Sequence, residues 1–151
     1  MIIKQPQTKE EFAKYYHLRW KLLRKPWNQP EGSEKDELED SAFHIMVCEN
    51  DGTVVGVGRL HFNSERESQI RYMAVEESYR GRGIGKIVLS KLEEAAKRAG
   101  AVRIVLNARE TAVKFYEKAG YQVIKPAHTL FGSIKHFKMR KNAGSISGSG
   151  F

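Results

Sequence analysis

The chain has 151 residues, of which 40% are hydrophobic, and this size suits one domain with a buried core rather than two domains. Lys and Arg number 26 against 18 Asp and Glu, so the formal net charge is +8 and nucleic-acid binding has to be considered. One cysteine, Cys48, excludes an internal disulfide, and the sequence shows neither a signal peptide nor an 18-residue apolar run. We therefore expect a cytoplasmic protein with no membrane partner.

The first part of the chain predicts a strand, a helix and an irregular polar segment. Residues 1–4 have the composition of a first strand. The helix spans about residues 9–24, because Thr8 or Gln7 can cap its amino terminus and two glutamates follow near the positive end of its dipole. In the polar segment after it we expect one helical turn at residues 34–38.

Two strands, at residues 43–49 and 53–62, are predicted to form a hairpin. Between them lies Asn50-Asp51-Gly52, and Asn and Gly both tolerate the positive φ angles of a tight turn. Residues 63–67 then turn the chain back into a third strand at residues 70–75. The pattern indicates three consecutive antiparallel strands.

The most informative motif follows the third strand and reads Arg80-Gly81-Arg82-Gly83-Ile84-Gly85. After it, apolar residues recur with a period close to 3.6 and predict a helix over residues 84–99. Glycine has no Cβ to keep a ligand away from the backbone, and the start of the helix offers unpaired N–H groups and the positive end of its dipole. The strand, loop and helix therefore predict a phosphate-binding unit.

Two common nucleotide-binding motifs do not fit this loop. A dinucleotide fingerprint needs G-x-G-x-x-G and a carboxylate at the end of the next strand, whereas the glycines here follow G-x-G-x-G and the next strand ends in Asn107-Ala108. A P-loop needs a Lys followed by Ser or Thr, but Lys86 is followed by Ile87. The ligand of the loop therefore has to be sought among other phosphate-containing molecules.

The loop matches (Q/R)-x-x-G-x-(G/A), and in this it resembles the GNAT superfamily of N-acetyltransferases, where the loop holds the pyrophosphate of coenzyme A. The order downstream is also similar: a strand over residues 102–108, a short helix over residues 110–119 that contains Phe115-Tyr116, then glycine and an aromatic residue. The resemblance implies the α/β GNAT acyl-CoA N-acyltransferase fold, a mixed, mostly antiparallel sheet flanked by helices, with a splayed parallel strand pair. The implied coenzyme A-binding residues are Met73, Ala74, Val75, Arg80, Gly81, Arg82, Gly83, Ile84, Gly85, Lys86 and Asn107.

The amino-terminal half is similar to a narrower branch, the ElaA-type acetyltransferases. The shared features are a helix with Leu18-Arg19, the acidic segment 36–40, His44 and a strand with Gly58-Arg59-Leu60. Residues 133–139 also resemble the closing strand of that branch. Because the substrates of the branch are poorly defined, this resemblance narrows the fold more than the function.

The resemblance also implies a catalytic role for Tyr116. When an amine attacks a thioester, the leaving thiolate needs a proton, and a phenol with a pKa of about 10 suits a thiolate with a pKa of about 8.5. The alternative is that Tyr116 only packs its ring in the protein interior.

The sequence leaves the general base open. In one branch of the superfamily a glutamate occupies the position of Gln69, which cannot accept a proton. Glu67, His61 and His136 are candidates, with ordered water as the alternative, and we expect Glu67 and His136 to bind the substrate. Since the histidines show no metal-ligand spacing with Cys48 or one another, we expect no metal.

The sequence thus predicts an enzyme that transfers acetyl from acetyl-CoA to a primary amine of a small molecule or a protein. A catalytically silent acyl-CoA-binding sensor is one alternative. A basic nucleic-acid-binding domain is another, but the cations are scattered and no helix-turn-helix, zinc or RNP motif accompanies them. We expect one domain over residues 1–141 and a flexible Gly/Ser-rich tail over residues 142–151. The choice between a monomer and a homodimer stays open.

Overall fold

The computed structural model describes residues 1–143. These residues form seven β-strands and three α-helices. The strands are β1 (Ile2–Lys4), β2 (Phe43–Cys48), β3 (Val54–Phe62), β4 (Glu67–Val75), β5 (Arg103–Arg109), β6 (Gln122–Leu130) and β7 (Ile134–Asn142). The helices are α1 (Lys9–Leu23), α2 (Ile84–Arg98) and α3 (Val113–Lys118). Within residues 1–143, no helix is long and apolar enough to cross a membrane.

The strands form one mixed sheet in the order β1-β2-β3-β4-β5-β7-β6. The pairs β1/β2, β2/β3, β5/β7 and β6/β7 are antiparallel, and β4/β5 is parallel. A parallel pair needs a crossover connection, which α2 provides between β4 and β5. The arrangement confirms the predicted α/β fold with a mostly antiparallel sheet and one parallel pair.

The chain divides into two compact units. Unit 1 contains residues 1–61 and 72–95, and unit 2 contains residues 62–71 and, of the described residues, those from Ala96 to residue 143. The single domain expected over residues 1–141 stays a prediction.

In unit 1, α1 begins where the capping pattern predicts, and Thr8 is the N-cap. Its Oγ1 accepts a hydrogen bond from the Glu11 N–H at 3.0 Å, and the Glu11 carboxylate accepts one from the Thr8 N–H at 3.3 Å. One face of α1 then packs on β2 and β3 in an apolar cluster. The buried members of this cluster are Tyr15, Leu18, Met46, Cys48, Val54 and Val57.

Two glycines of β3 allow α2 to pack closely on the other face of this strand. A Cβ at Gly56 would lie 2.7 Å from Ile84 Cγ2, and a Cβ at Gly58 would lie 2.6 Å from Val88 Cγ1. Neither position has room for a side chain, so the first two turns of α2 rest directly on the β3 backbone. This contact fixes the amino terminus of the helix that follows the glycine loop.

In unit 2, β4 and β5 form a short parallel ladder that pairs Glu67–Ile70 with Arg103–Leu106. Both strands continue beyond it, β4 to Val75 and β5 to Arg109, while β5 pairs with β7 over its whole length. The parallel ladder therefore covers only the first part of each strand, as the predicted splayed pair requires.

The helical turn predicted at residues 34–38 does not form, and this segment is a series of turns. Acidic side chains take the place of helical hydrogen bonds: Asp36 Oδ1 accepts from the Leu38 N–H at 2.9 Å, and Glu39 Oε2 accepts from the Asp36 N–H at 3.1 Å. Such local bonds compete with helix formation, which explains why the prediction was wrong.

The start of the tail was predicted too early, at residue 142. Asn142 belongs to β7 and pairs with Arg103 of β5, and the Ala143 N–H donates to the Val102 carbonyl at 2.9 Å. Pairing with a neighbouring strand orders these two residues despite their composition. The rest of the predicted tail, residues 144–151, lies outside the described residues.

Candidate active site

The glycine loop of unit 1 runs from β4 into α2, and its backbone needs glycine at two positions. Gly81 and Gly83 both have a φ of 80°, which L-residues other than glycine rarely adopt. Apart from the adjacent residues in the chain, no atom of residues 1–143 lies within 4 Å of a Cβ built at either glycine, so the space beside them is open in the described part of the protein. Glycine is thus required here for its conformation, and the open space gives a ligand access to the backbone.

The start of α2 adds hydrogen-bond donors to this loop. The Ile87 N–H donates to the Gly83 carbonyl at 3.1 Å, so the N–H groups of Ile84, Gly85 and Lys86 precede the helical ladder. Such groups at the first turn of a helix favour an anion. Ile84 itself is buried against β3 and holds the turn in place.

Three exposed cations, Arg80, Arg82 and Lys86, surround the same loop. The Arg80 Nε donates to the Val75 carbonyl at 3.4 Å, and the Arg82 guanidinium lies 4.9 Å from the centre of the Tyr79 ring. The loop therefore combines positive charge with backbone donors that precede the helical ladder, which is the chemistry that binds a diphosphate.

The last residues of β4 lead into this loop and are half-buried. Met73 lies beside β3 on the α2 face, where its Cγ is 3.3 Å from a Cβ built at Gly58, and Ala74 packs against the α1 cluster. Their side chains thus alternate between the two faces. Tyr72, which precedes them, has a φ of 59° and interrupts the regular strand conformation.

The other predicted site residues lie in unit 2. Asn107 is exposed on β5, opposite Lys138 of β7. Tyr116 on α3 is only 8% exposed, and its ring lies 5.0 Å from Phe115 and 5.8 Å from Tyr121 between ring centres. Burial raises the pKa of the Tyr116 phenol above its ordinary value, so this group is protonated at neutral pH.

Glu67 is held in an ion pair. Its carboxylate accepts hydrogen bonds from Asn63 Nδ2 at 2.8 Å and from Arg103 Nε at 2.9 Å. These two bonds lower the pKa of Glu67, so the carboxylate is ionised but a weaker base than an isolated glutamate. The same Asn63 amide donates to Gln69 Oε1 at 2.9 Å.

His136 lies on β7 opposite Arg109 and is 8% exposed. Its Nδ1 lies 3.0 Å from the Ile134 carbonyl oxygen, and its ring stacks on His128 with 4.4 Å between ring centres. Burial, and then the neighbouring His128, lower the pKa of His136. The imidazole is therefore neutral at pH 7 and can accept a proton.

His61, the third candidate for the general base, contacts a buried arginine. Its Nδ1 lies 3.0 Å from a terminal nitrogen of the fully buried Arg59. Arg59 in turn binds Asp36 at 2.6 Å and Glu39 at 2.7 Å, and Glu39 binds Arg19 at 2.9 Å.

This buried cluster of charges was not predicted from the sequence. The only signal in the sequence was the acidic segment 36–40, whose carboxylates are the partners of the buried arginines.

No group of three His, Cys, Asp or Glu side chains in residues 1–143 is arranged to hold a metal ion.

Comparison with known proteins identifies the family. The model of the Acetyltransferase (GNAT) family matches residues 12–121. The chain belongs to the GNAT family. A homologue of this GNAT protein from Bacillus subtilis (strain 168), described as the uncharacterized N-acetyltransferase YjcF, is 33% identical over 136 residues, which cover 90% of this chain and 96% of the homologue.

Solved structures share the GNAT fold. Escherichia coli ElaA has a TM-score of 0.77 at 20% identity, with 93% of this chain and 98% of ElaA covered. An aminoglycoside 6'-N-acetyltransferase complexed with coenzyme A has a TM-score of 0.78 at 17% identity, with 95% and 97% covered. At these identities the likeness establishes the fold. The resemblance to GNAT proteins predicted from the sequence is confirmed, with ElaA among the structural neighbours.

Proposed function

We propose that this GNAT protein is an N-acetyltransferase that transfers acetyl from acetyl-CoA to a primary amine of a small molecule or a protein. The observation that carries the proposal is the loop of unit 1, where Gly81 and Gly83 expose backbone at the first turn of α2 beside three cations. Coenzyme A carries the diphosphate that such a loop suits, and a structural neighbour is a coenzyme A complex. The cytoplasmic location stays a prediction.

The proposed cofactor contacts lie on two consecutive segments. We propose that backbone groups of Met73, Ala74 and Val75 pair with the pantetheine arm, because an extended ligand can hydrogen-bond like a strand. Residues 80–86 would then hold the diphosphate. Asn107 of β5 is proposed as a further cofactor contact.

The reaction requires two proton transfers, one from the amine nitrogen and one to the thiolate sulfur. Acetyl-CoA supplies an activated acetyl group. The amine nitrogen attacks the thioester carbonyl, so a C–N bond forms and the C–S bond breaks, while the nitrogen loses a proton and the sulfur gains one. We assign the donor role to Tyr116, whose buried phenol is protonated at neutral pH.

For the proton acceptor, the contacts favour His136 over Glu67. The hydrogen bonds from Asn63 and Arg103 lower the pKa of Glu67, which makes its carboxylate a poor base, whereas His136 is neutral at pH 7. We therefore propose His136 as the base, with Glu67 in the substrate-binding role and water as the alternative acceptor.

This base assignment predicts a pH dependence. The pKa of His136 is lowered below its ordinary value of 6.5, so kcat/KM should fall as pH drops through a pKa below 6.5, where His136 becomes protonated. With an acceptor amine of pKa about 10, log kcat/KM should have a slope of about 2 below the histidine pKa and about 1 above it. The measurement is a pH–rate profile of the wild type and His136→Gln, which should keep only the slope of about 1.

His128→Gln provides the matched control for this profile. Because the stacked His128 lowers the pKa of His136 electrostatically, replacing His128 should raise the pKa of His136 and move the change of slope to higher pH. If the slopes of all three proteins coincide, His136 is not the base.

The proposed activity is tested directly by thiol release from acetyl-CoA with a panel of amines, including diamines, aminoglycosides and lysine-containing peptides. We expect turnover with at least one amine and an acetylated product by mass spectrometry. Tight coenzyme A binding without turnover on any amine would instead support the sensor alternative. Absence of coenzyme A binding would refute the proposal for both the loop and the activity.

A further inference from the structure

Tyr72 on β4 has an unusual backbone conformation. Its φ of 59° lies in the left-handed region, which is unfavourable for a residue with a bulky side chain. The side chain is buried, and Met73 follows directly. Such a conformation persists only where the surrounding structure holds it, and it often marks a functional position.

Three guanidinium groups surround the Tyr72 ring. The Cζ atoms of Arg19, Arg59 and Arg24 lie 4.2 Å, 4.9 Å and 5.6 Å from the ring centre. All three distances are within the range of cation–π attraction, which is stronger when the groups are removed from water. Arg19 and Arg59 are fully buried, so the two shortest cation–π contacts are also the ones shielded from solvent.

Carboxylates and a phenol hold the two buried arginines in place. Glu39 binds both of them, Asp36 binds Arg59, and an Arg19 terminal nitrogen donates to the Tyr15 hydroxyl at 2.9 Å. Among the described residues, the Nε atoms of Arg19 and Arg59 have no hydrogen-bond partner. The π-face of Tyr72 therefore contributes to compensating the burial of these groups.

We propose that Arg19 and Arg59, the arginine clamp, hold the Tyr72 ring and thereby keep β4 in its left-handed conformation at this residue. The clamp positions the Met73–Val75 backbone for the cofactor, so the proposal rests on the coenzyme A-binding function proposed above. The three residues are positioning residues and take no part in the chemistry. Without the clamp, only a minor fraction of the molecules has the backbone conformation that binds coenzyme A. The apparent Kd for coenzyme A then equals the intrinsic Kd divided by that fraction.

The composition of the clamp supports a positioning role over a purely stabilising one. Apolar residues of similar volume are often as stable as a buried ion pair, and glycine or asparagine would adopt the φ of Tyr72 more readily. The chain instead combines a tyrosine with two buried arginines and their acidic partners. This combination fixes one geometry of the strand that precedes the loop.

Calorimetric titration of coenzyme A into four proteins tests the clamp, at a temperature well below the unfolding midpoint of each. Tyr72→Phe keeps the π-face and should bind within about threefold of the wild type. Tyr72→Leu keeps the burial but loses the face, and its Kd should rise about tenfold. Tyr72→Asn also loses the face but tolerates the left-handed conformation, so its Kd should be lower than that of Tyr72→Leu.

The order of the last two variants separates positioning from packing. A tyrosine that only fills the core would make the polar Tyr72→Asn the worse variant in both stability and binding. That order, or equal affinity in all four proteins, would overturn the clamp while leaving the coenzyme A site intact. A wild type that binds no coenzyme A would overturn the proposed function, and the clamp with it.

Discussion

Turnover of the Tyr116→Phe variant is expected to be about 10- to 1000-fold slower than that of the wild type, with coenzyme A affinity and the thermal midpoint retained. The substitution removes one proton donor and keeps the ring, which contacts Phe115 and Tyr121. Because burial raises the pKa of the phenol, the donor should remain protonated through neutral and mildly alkaline pH. Steady-state kinetics with the best amine from the panel, together with thermal unfolding, measures both effects.

Tyr121→Phe is the matched control for this substitution. Tyr121 is also buried, and its ring lies 5.8 Å from that of Tyr116, so the two variants lose the same hydroxyl group from neighbouring rings. We expect the control to turn over at nearly the wild-type rate. An unchanged kcat in Tyr116→Phe would eliminate the acid role and leave water or the proton of the amine as the donor.

The elements with strong local signals could be predicted from the sequence. The Thr8 cap and the Asn50-Asp51-Gly52 turn depend on residues within a few positions of one another, and the structure contains both the capping box and the turn. The glycine loop also runs directly into α2, as its pattern indicates. Each of these features depends on residues that are close together in the chain, and for this reason it can be predicted from the sequence.

The arginine clamp could not be predicted because its members are distant in sequence and conformationally atypical. Arg59 finds Asp36 and Glu39 across 23 and 20 positions, and no local pattern specifies such a pairing. Tyrosine at positive φ contradicts the ordinary preference of the residue, so the sequence of β4 predicts a regular strand. The tertiary contacts overrode the local preference at this point.

The stacking of His128 on His136 could not be predicted from the sequence for a different reason. The β6/β7 ladder changes register between Val123 and Lys125 and again between Pro126 and Thr129. Each irregularity breaks the alternation of side chains from which facing residues are predicted. Proline on an edge strand is compatible with such a ladder, but it gives no indication of which residues meet.

The second large effect is expected in the glycine loop, where Gly83→Val should weaken coenzyme A binding about 100-fold, equivalent to about 3 kcal/mol. Gly83 has a φ of 80°, which is strained for a β-branched residue, and a side chain would occupy the open space beside the donors at the start of α2. Calorimetric titration with coenzyme A measures the loss.

Gly100→Val separates this effect from backbone strain alone. Gly100 has a φ of 93° with open surroundings and lies after the carboxyl-terminal end of the same helix, so valine is comparably strained there without entering the loop. Both variants should lower the thermal midpoint, but only Gly83→Val should lose affinity. If the two variants bind coenzyme A equally well, the diphosphate does not lie on this loop, and the exposed arginines beside it serve another ligand.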